Sequence, residues 1–211
     1  MGAYTWTYVK IDKLTTQMVE TCVSHAKQTA EGSTYGRYSK KTWDSALKDW
    51  LNLHKKNYDY FVNECGVNPK KMTDEYLTRQ LKRKMKDYKL KIECYDKCLV
   101  GEMSIEEVLR KTHQLSGYCN DFLVIKRKGN YYVNIKYEIF RNYEYCEEEF
   151  HTVEGLIKHL EKPESIHICD LTDKMEDSVQ PEYGPLSESL KKKIINYYNA
   201  IGDGNFVVHF G

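Results

Sequence analysis

The hydrophobic residues of this 211-residue chain change their spacing near Gly117. Before that point they recur every three or four residues, which is typical of helices that bury one face. From Asp121 onward, short segments alternate apolar and polar residues, and turn sequences such as residues 128–130 separate them, as in antiparallel strands. We therefore expect an α+β fold, with a mainly helical region and a short N-terminal strand over residues 1–117. An antiparallel β-meander with two helices and further strands should follow over residues 118–211.

Capping and turn residues divide each region into elements. In the first region we expect a strand over residues 3–11, helices over 14–30, 39–66, 74–99 and 104–116, and a loop over 32–36. In the second we expect strands over 122–127, 131–140, 143–150, 165–171 and 205–210, and helices over 152–160 and 186–201. Thr73 or Asp74, Ser104 and Thr152 are predicted to cap their helices, because their side chains can accept a hydrogen bond from the first turn.

The net charge of +1 conceals an uneven distribution. Residues 1–118 carry 21 Lys and Arg against 15 Asp and Glu, whereas residues 119–211 carry 11 against 16. A basic first part and an acidic second part predict different partners for the two parts, or contact between them.

The seven cysteines, an odd number at irregular spacings, favour a reduced, cytoplasmic protein. No apolar run approaches the length that crosses a bilayer, so we expect no membrane partner. Cys94 and Cys98 are four residues apart on a predicted helix and could supply two ligands to one metal. The two close pairs that are typical of structural zinc sites are missing from the sequence. We therefore expect buried thiols that pack as small apolar side chains, and we expect no metal and no cofactor.

The predicted helix over residues 74–99 is the strongest candidate for a binding surface. On a helical wheel, one narrow stripe carries Leu77, Leu81, Met85, Tyr88, Ile92, Tyr95 and Leu99. Six basic residues lie in an arc of roughly 120° on the opposite side, namely Arg79, Lys82, Arg83, Lys86, Lys89 and Lys97. Such a row could follow a phosphate backbone or contact an acidic partner.

The same basic row can also be interpreted as an ordinary solvated helix face. Acidic and basic residues four apart, such as Glu75 with Arg79 and Glu93 with Lys97, can pair within the helix and neutralise its field. No aromatic residue lies within the basic arc, whereas proteins that bind single strands usually interleave stacking rings. Both interpretations stay open on the sequence alone.

Tyrosine is unusually frequent, with eighteen residues, several of them in close pairs. Adjacent residues of a strand point to opposite faces, so some of these rings should reach the surface. Because amphipathic rings are enriched at protein interfaces, we expect aromatic anchors for a partner among Tyr131, Tyr132, Tyr143 and Tyr145.

Acid–base chemistry has one candidate position in the sequence. His167 and Asp170 are placed at the end of a predicted strand, beside a loop rich in carboxylates. Such side chains could act as acid and base or bind a divalent cation. The alternative is a polar connecting loop without a chemical role.

Three segments of the second region resemble the middle of an SH2 domain in their rhythm, namely residues 122–125, 131–135 and 150–160. That family binds phosphotyrosine through an arginine directly after its Phe-Leu-Val run, and this chain has Ile125 at that position. The phosphotyrosine site therefore has no counterpart, and we do not assign the chain to the family.

Three classes of function follow from these patterns. The first is a non-enzymatic intracellular binding protein. In its small size, its lack of motifs and its Lys-, Tyr- and Asn-rich composition, the chain resembles accessory proteins of phages and mobile elements, including anti-CRISPR-like inhibitors of bacterial defence systems. This resemblance implies a host protein or ribonucleoprotein as the partner. The alternatives are binding of RNA or DNA through the helix over residues 74–99, and an enzyme with a site near His167 and Asp170.

Overall fold

A computed structural model describes residues 5–115, 121–135, 140–142, 148–161, 166–168 and 186–210. It confirms the predicted α+β class, with a helical N-terminal region and an antiparallel sheet. The predicted boundary at Gly117 lies outside the described residues.

The helices are α1 (Thr16–Gly32), α2 (Thr34–Ser39), α3 (Trp43–Lys56), α4 (Asp74–Leu99), α5 (Ile105–Lys111), α6 (Val153–Leu160) and α7 (Glu188–Ile201). The strands are β1 (Thr5–Lys10), β2 (Val124–Arg127), β3 (Asn130–Asn134), β4 (Phe140–Asn142), β5 (Glu148–Phe150), β6 (Ile166–Ile168) and β7 (Phe206–Phe210). Two 3₁₀ turns (Ile11–Lys13 and Pro69–Met72) and a π-helical turn (Tyr60–Glu64) complete the described elements.

Contacts between Cα atoms gather the chain into two compact units. One unit, here the sheet unit, comprises residues 1–22 and 114–211. The other, here the helical unit, comprises residues 23–113. The division falls within α1, so the sheet unit is built from both ends of the chain.

The sheet unit contains a five-stranded antiparallel sheet in the order β2-β3-β1-β7-β5. The first two strands after Asp121 form the hairpin that the sequence predicts, and Lys128 and Gly129 occupy its turn with φ angles of 46° and 83°. Positive φ at both positions is typical of the type I′ turn that suits a two-residue hairpin loop. β1 and β7 lie between this hairpin and β5, while β4 and β6 pair separately.

One face of the five-stranded sheet is packed against α6 and α7. The hydroxyl groups of Tyr198 in α7 and Thr7 in β1 are hydrogen-bonded at 2.9 Å. The ring of His159 in α6 lies between those of Phe150 and Phe210, with centroids 4.8 and 4.7 Å away. This face also carries the fully buried residues Val9, Val133, Phe206 and Val208.

The helical unit is organised around Trp50 of α3. Its indole Nε1 donates a hydrogen bond to the carbonyl oxygen of Leu77 in α4 at 3.0 Å. Tyr38 meets the indole edge-on, with ring centroids 6.2 Å apart, and Ala46 and Leu81 complete the buried cluster. This cluster fixes α4 against α2 and α3 over its N-terminal half.

Local sequence signals place most helix starts. A Ser or Thr hydroxyl accepts a hydrogen bond from the backbone three residues on at Ser33, Thr42, Thr73, Ser104, Thr152 and Ser187. The predicted loop over residues 32–36 is wrong in its second half, because Ser33 caps α2 and the helix begins at Thr34. The missed helix is short, and its backbone passes very close to the end of α1 at Gly36.

Candidate functional site

α4 carries the basic residues that the sequence singles out. It begins after the Thr73 cap and runs for 26 residues, which corresponds to roughly 39 Å. Asp74 and Glu75 lie in its first turn and Lys97 in its last, an arrangement that complements the helix dipole. The helix therefore forms one continuous support along which side chains can be arranged.

The buried side of α4 turns along the helix. In the N-terminal half Leu77 and Leu81 are buried, as the predicted stripe requires. In the C-terminal half the buried residues are Cys94, Tyr95 and Cys98. The predicted burial of Leu99 is wrong, since 36% of its surface is exposed. The C-terminal half of α4 has a different neighbour from α2 and α3, because α5 packs against α4 and the charge of its Lys111 acts on the Cys94 thiol.

The opposite side of α4 carries an open row of positive charge. We use the term basic face for Arg79, Lys82, Arg83, Lys86 and Lys89, all of which are exposed. Among the described residues, no carboxylate forms an ion pair with any of these five side chains. Between residues 79 and 91 the helix holds seven basic residues and one acidic residue, Asp87. The row therefore presents a local positive field.

Lys97 differs from the other predicted cations. Its ammonium group lies 2.6 Å from Glu93 Oε1, which confirms one of the predicted four-apart pairs. The hydrogen bond to Glu93 raises the pKa of Lys97, and it lowers the pKa of Glu93 in return. The predicted pair between Glu75 and Arg79 is not formed, so intrahelical pairing does not neutralise the basic face.

α3 supplies an aromatic ring beside the basic face. The Lys82 ammonium lies 5.7 Å from the centroid of the Trp43 ring, within the range of a cation–π contact. Trp43 is 38% exposed, although tryptophan is usually well buried. The wheel analysis of α4 missed this ring because it comes from another helix. Its one signal in the sequence is a tryptophan directly after the Thr42 cap.

The four predicted tyrosines do not form one exposed patch. Tyr132 is buried, and its hydroxyl donates a hydrogen bond to the carbonyl oxygen of Gly204 at 2.9 Å. Tyr131 is half-buried, with the Lys126 ammonium 5.2 Å from its ring centroid. Tyr143 and Tyr145 lie outside the described residues.

Further exposed apolar residues lie in the last turn of α3 and just after it. Leu53, Tyr58 and Tyr60 are exposed by 43%, 41% and 59%. Exposed apolar residues that occur singly are normal, but three within eight positions are candidate contact residues. We refer to these three residues as the apolar patch.

The described residues do not bring the predicted acid–base and metal-binding side chains together into a site. His167 lies in β6, opposite Arg141 of β4, and Asp170 lies outside the described residues. Within the described ranges, no group of three or more His, Cys, Asp or Glu side chains could hold a metal ion. Cys94 and Cys98 are buried, as expected for packed thiols, and burial raises the pKa of each.

None of the described helices combines the length and the apolar character that a membrane span requires. The chain matches no protein-family model, no curated protein and no solved structure.

Proposed function

We propose that the protein binds single-stranded nucleic acid, either free or within a ribonucleoprotein, through the basic face of α4 and the Trp43 ring. The observation that carries this proposal is the row of five exposed cations without carboxylate partners in the described part of the chain, next to an exposed indole. Proteins that bind single strands combine a positive groove with stacking rings.

The spacing of the charges suits a flexible phosphate chain. From Arg79 to Lys89 the helix rises by roughly 15 Å, so the basic face can contact a few successive phosphates. Each phosphate that is neutralised releases a counterion, and the affinity then falls with salt. The helical unit as a whole carries 19 Lys and Arg against 13 Asp and Glu, which adds to the attraction.

Binding of a labelled 20-nucleotide single strand, followed by fluorescence anisotropy at several salt concentrations, tests the proposal. For five contacts, the logarithm of the affinity should fall with that of the salt concentration with a slope of up to about −3.5. Replacing Lys82, Lys86 and Lys89 by Glu should reduce the slope by roughly 2 and lower the affinity at least about tenfold. The matched control replaces the exposed Lys158, Lys192 and Lys193 of the sheet unit by Glu. Equal losses in the two triple variants would contradict a site on α4.

The Trp43 ring gives a second, independent measure. Trp43→Ala should weaken binding of a single strand by about five- to thirtyfold, because base stacking contributes roughly 1–2 kcal/mol. Trp43→Phe should keep most of the affinity, since a ring remains. Thr42 caps α3 in both variants, so the helix start is preserved. An affinity that is the same in all three proteins would remove Trp43 from the site.

A second candidate function is the binding of a protein, the class that the composition of the chain suggests first. The apolar patch supports it, because large exposed rings are common anchors at interfaces. A pull-down from bacterial lysate with nuclease treatment separates the two functions. A protein that is retained after nuclease and released by Tyr58→Ser with Tyr60→Ser would favour a protein partner. Loss of every partner with nuclease would favour nucleic acid.

A further inference from the structure

The helical unit contains a pocket of about 530 Å³ between the end of α3, the π-helical turn and the first turns of α4. We name it the π-turn pocket. The residues that matter for its chemistry are His54, Phe61, Asn68, Lys71, Tyr76 and Gln80. Its volume is within the range of roughly 300–1,000 Å³ that is usual for small-molecule sites.

Aromatic rings form part of the pocket wall. His54 and Phe61 are stacked, with centroids 5.4 Å apart and planes at 23°. His54 Nδ1 donates a hydrogen bond to the carbonyl oxygen of Trp50 at 2.8 Å, which leaves Nε2 as an acceptor in the neutral ring. Tyr76 contributes a third ring from α4. Flat walls of this kind suit a flat, aromatic ligand.

The pocket also offers hydrogen-bonding groups that are still available. The Gln80 amide makes no hydrogen bond to another described residue, so its donor and its acceptor are both open. Asn68 Oδ1 accepts from the backbone of Lys70 at 2.9 Å, which leaves the Asn68 amino group as a donor. Lys71 adds a positive charge at the wall. A pocket that combines flat aromatic walls with hydrogen-bond donors and acceptors matches a nucleobase, which has a flat face and a polar edge.

The backbone that forms the pocket is itself irregular. The amide of Cys65 donates to the carbonyl oxygen of Tyr60 at 3.0 Å, five residues back, and that of Val67 donates to Phe61 at 2.9 Å. Gly66 follows with a φ of 64°, a conformation that glycine adopts readily and that lets the chain turn toward Asn68. Single π-helical turns of this kind occur frequently at functional sites.

We propose that the π-turn pocket receives one unstacked base of the strand that the basic face holds. This inference rests on the proposed function. The two sites share α4, because Gln80 lies within one helical turn of both Arg79 and Arg83, and Tyr76 lies within one turn of Arg79. A strand whose phosphates contact those arginines can therefore turn one base into the pocket. The aromatic walls stack on the base and Gln80 pairs with its edge, as in the sequence-selective recognition of single strands.

The test compares homopolymers of each of the four bases with an abasic sugar-phosphate polymer of the same length. Wild-type protein should prefer one base over the least favoured one by about tenfold, and Gln80→Met should abolish that preference. Binding of the abasic polymer should stay unchanged in Gln80→Met, because the basic face is intact. Gln28→Met, at an exposed position of α1 in the same unit, is the matched control and should behave as wild type. Ribose and deoxyribose versions show which sugar the strand carries.

The outcomes separate the two proposals. If the abasic polymer and all homopolymers fail to bind, the proposed function fails and this inference falls with it. If every polymer binds with the expected salt dependence but Gln80→Met changes no affinity, the basic face stands and the pocket inference is overturned. Loss of one base preference in Gln80→Met, but not in Gln28→Met, establishes the base pocket.

Discussion

Arg127 and Glu149 join the two edge strands of the five-stranded sheet through a two-pronged ion pair. Arg127 Nε donates to Glu149 Oε2 at 3.0 Å, and a second guanidinium nitrogen donates to Oε1. Arg127 lies in β2 and Glu149 in β5, at opposite ends of the strand order. In a flat sheet these strands would be separated by four spacings, roughly 19 Å. The pair therefore requires the sheet to curl until its edges approach each other.

The curl encloses a small second core on the face that does not meet α6 and α7. Tyr8, Tyr132 and Val207 are buried there, and Trp6 and Ile125 pack against them. Burial raises the pKa of the Tyr8 phenol, while the charge of Arg127 partly opposes that rise. The charges of Arg127 and Glu149 both act on Tyr8, so the ion pair lies close to this core.

A double-mutant cycle should show that this pair stabilises the curled sheet. Glu149→Gln and Arg127→Met should each lower the free energy of unfolding by about 1 kcal/mol, since both side chains stay partly exposed. The double variant should lose clearly less than the sum, because the second change removes a group that has already lost its partner. The exposed pair of Glu106 and Arg110 is the comparison, and Glu106→Gln should cost no more than about 0.5 kcal/mol. Simple additivity at Arg127 and Glu149 would show that the pair does not couple the strands.

The same carboxylate should make stability depend on pH in the acid range. The hydrogen bond from Arg127 lowers the pKa of Glu149, and nearby His209 and His151 act in the same direction. A carboxyl group whose pKa is lower in the folded state stabilises the fold above its unfolded pKa of about 4.3. That stabilisation should disappear as the pH falls through the lower, folded pKa. Denaturation between pH 3 and pH 7 should thus give a steeper acid loss for wild type than for Glu149→Gln, and equal slopes would contradict the assignment.

Two glycines near the start of α2 should respond in opposite ways to alanine. A Cβ atom at Gly36 would lie 2.2 Å from the carbonyl oxygen of Glu31, so the backbone would have to move. Gly36→Ala should lower the free energy of unfolding by about 3 kcal/mol. At Gly32, the last residue of α1, nothing lies within 4 Å of the added atom. Gly32→Ala should be neutral or stabilising by up to about 1 kcal/mol. Urea denaturation of both variants checks this pair, and similar midpoints would refute the close approach.

The described cysteines should divide sharply by their reactivity. Cys65 is exposed, whereas Cys22, Cys94 and Cys98 are buried. Because burial also raises the pKa of Cys94 and Cys98, little reactive thiolate is present on them. In native protein, maleimide should modify Cys65 at least about 100-fold faster than these three. Peptide mapping by mass spectrometry reads out each position, and denaturant should make the rates equal. Rapid labelling of Cys94 in native protein would contradict its burial.

The features that sequence predicts best are those that depend on a few neighbouring residues. Ser104 and Glu107 form the complete capping box that their spacing indicates. Thr152 begins α6, and the apolar residues of that helix are buried. Leu77 and Leu81 face the core because the apolar side chains in the N-terminal half of α4 lie on one side of the helix, and an amphipathic helix buries that side.

The features that sequence misses are set by neighbours distant along the chain. Leu99 belongs to the apolar stripe of the wheel, yet it is exposed and Cys98 is buried instead. The ring that accompanies Lys82 comes from Trp43, 39 positions earlier, so no wheel of α4 could contain it. The pairing of β1 with β7 could not be predicted either, because no local sequence pattern indicates which strand lies next to β1.

The pairing of β1 with β7 sets the order in which the two units can fold during translation. At about 5–20 residues per second, the ribosome takes roughly 10–40 s after making β1 to produce the last strand. The helical unit is a continuous segment, residues 23–113, and it can assemble during that interval. Both edges of β1 stay unpaired until β3 and then β7 have been synthesised, because these two strands are its neighbours in the sheet. A nascent chain held on the ribosome before Phe206 should therefore contain a folded helical unit while Trp6 and Tyr8 are still accessible to a chaperone.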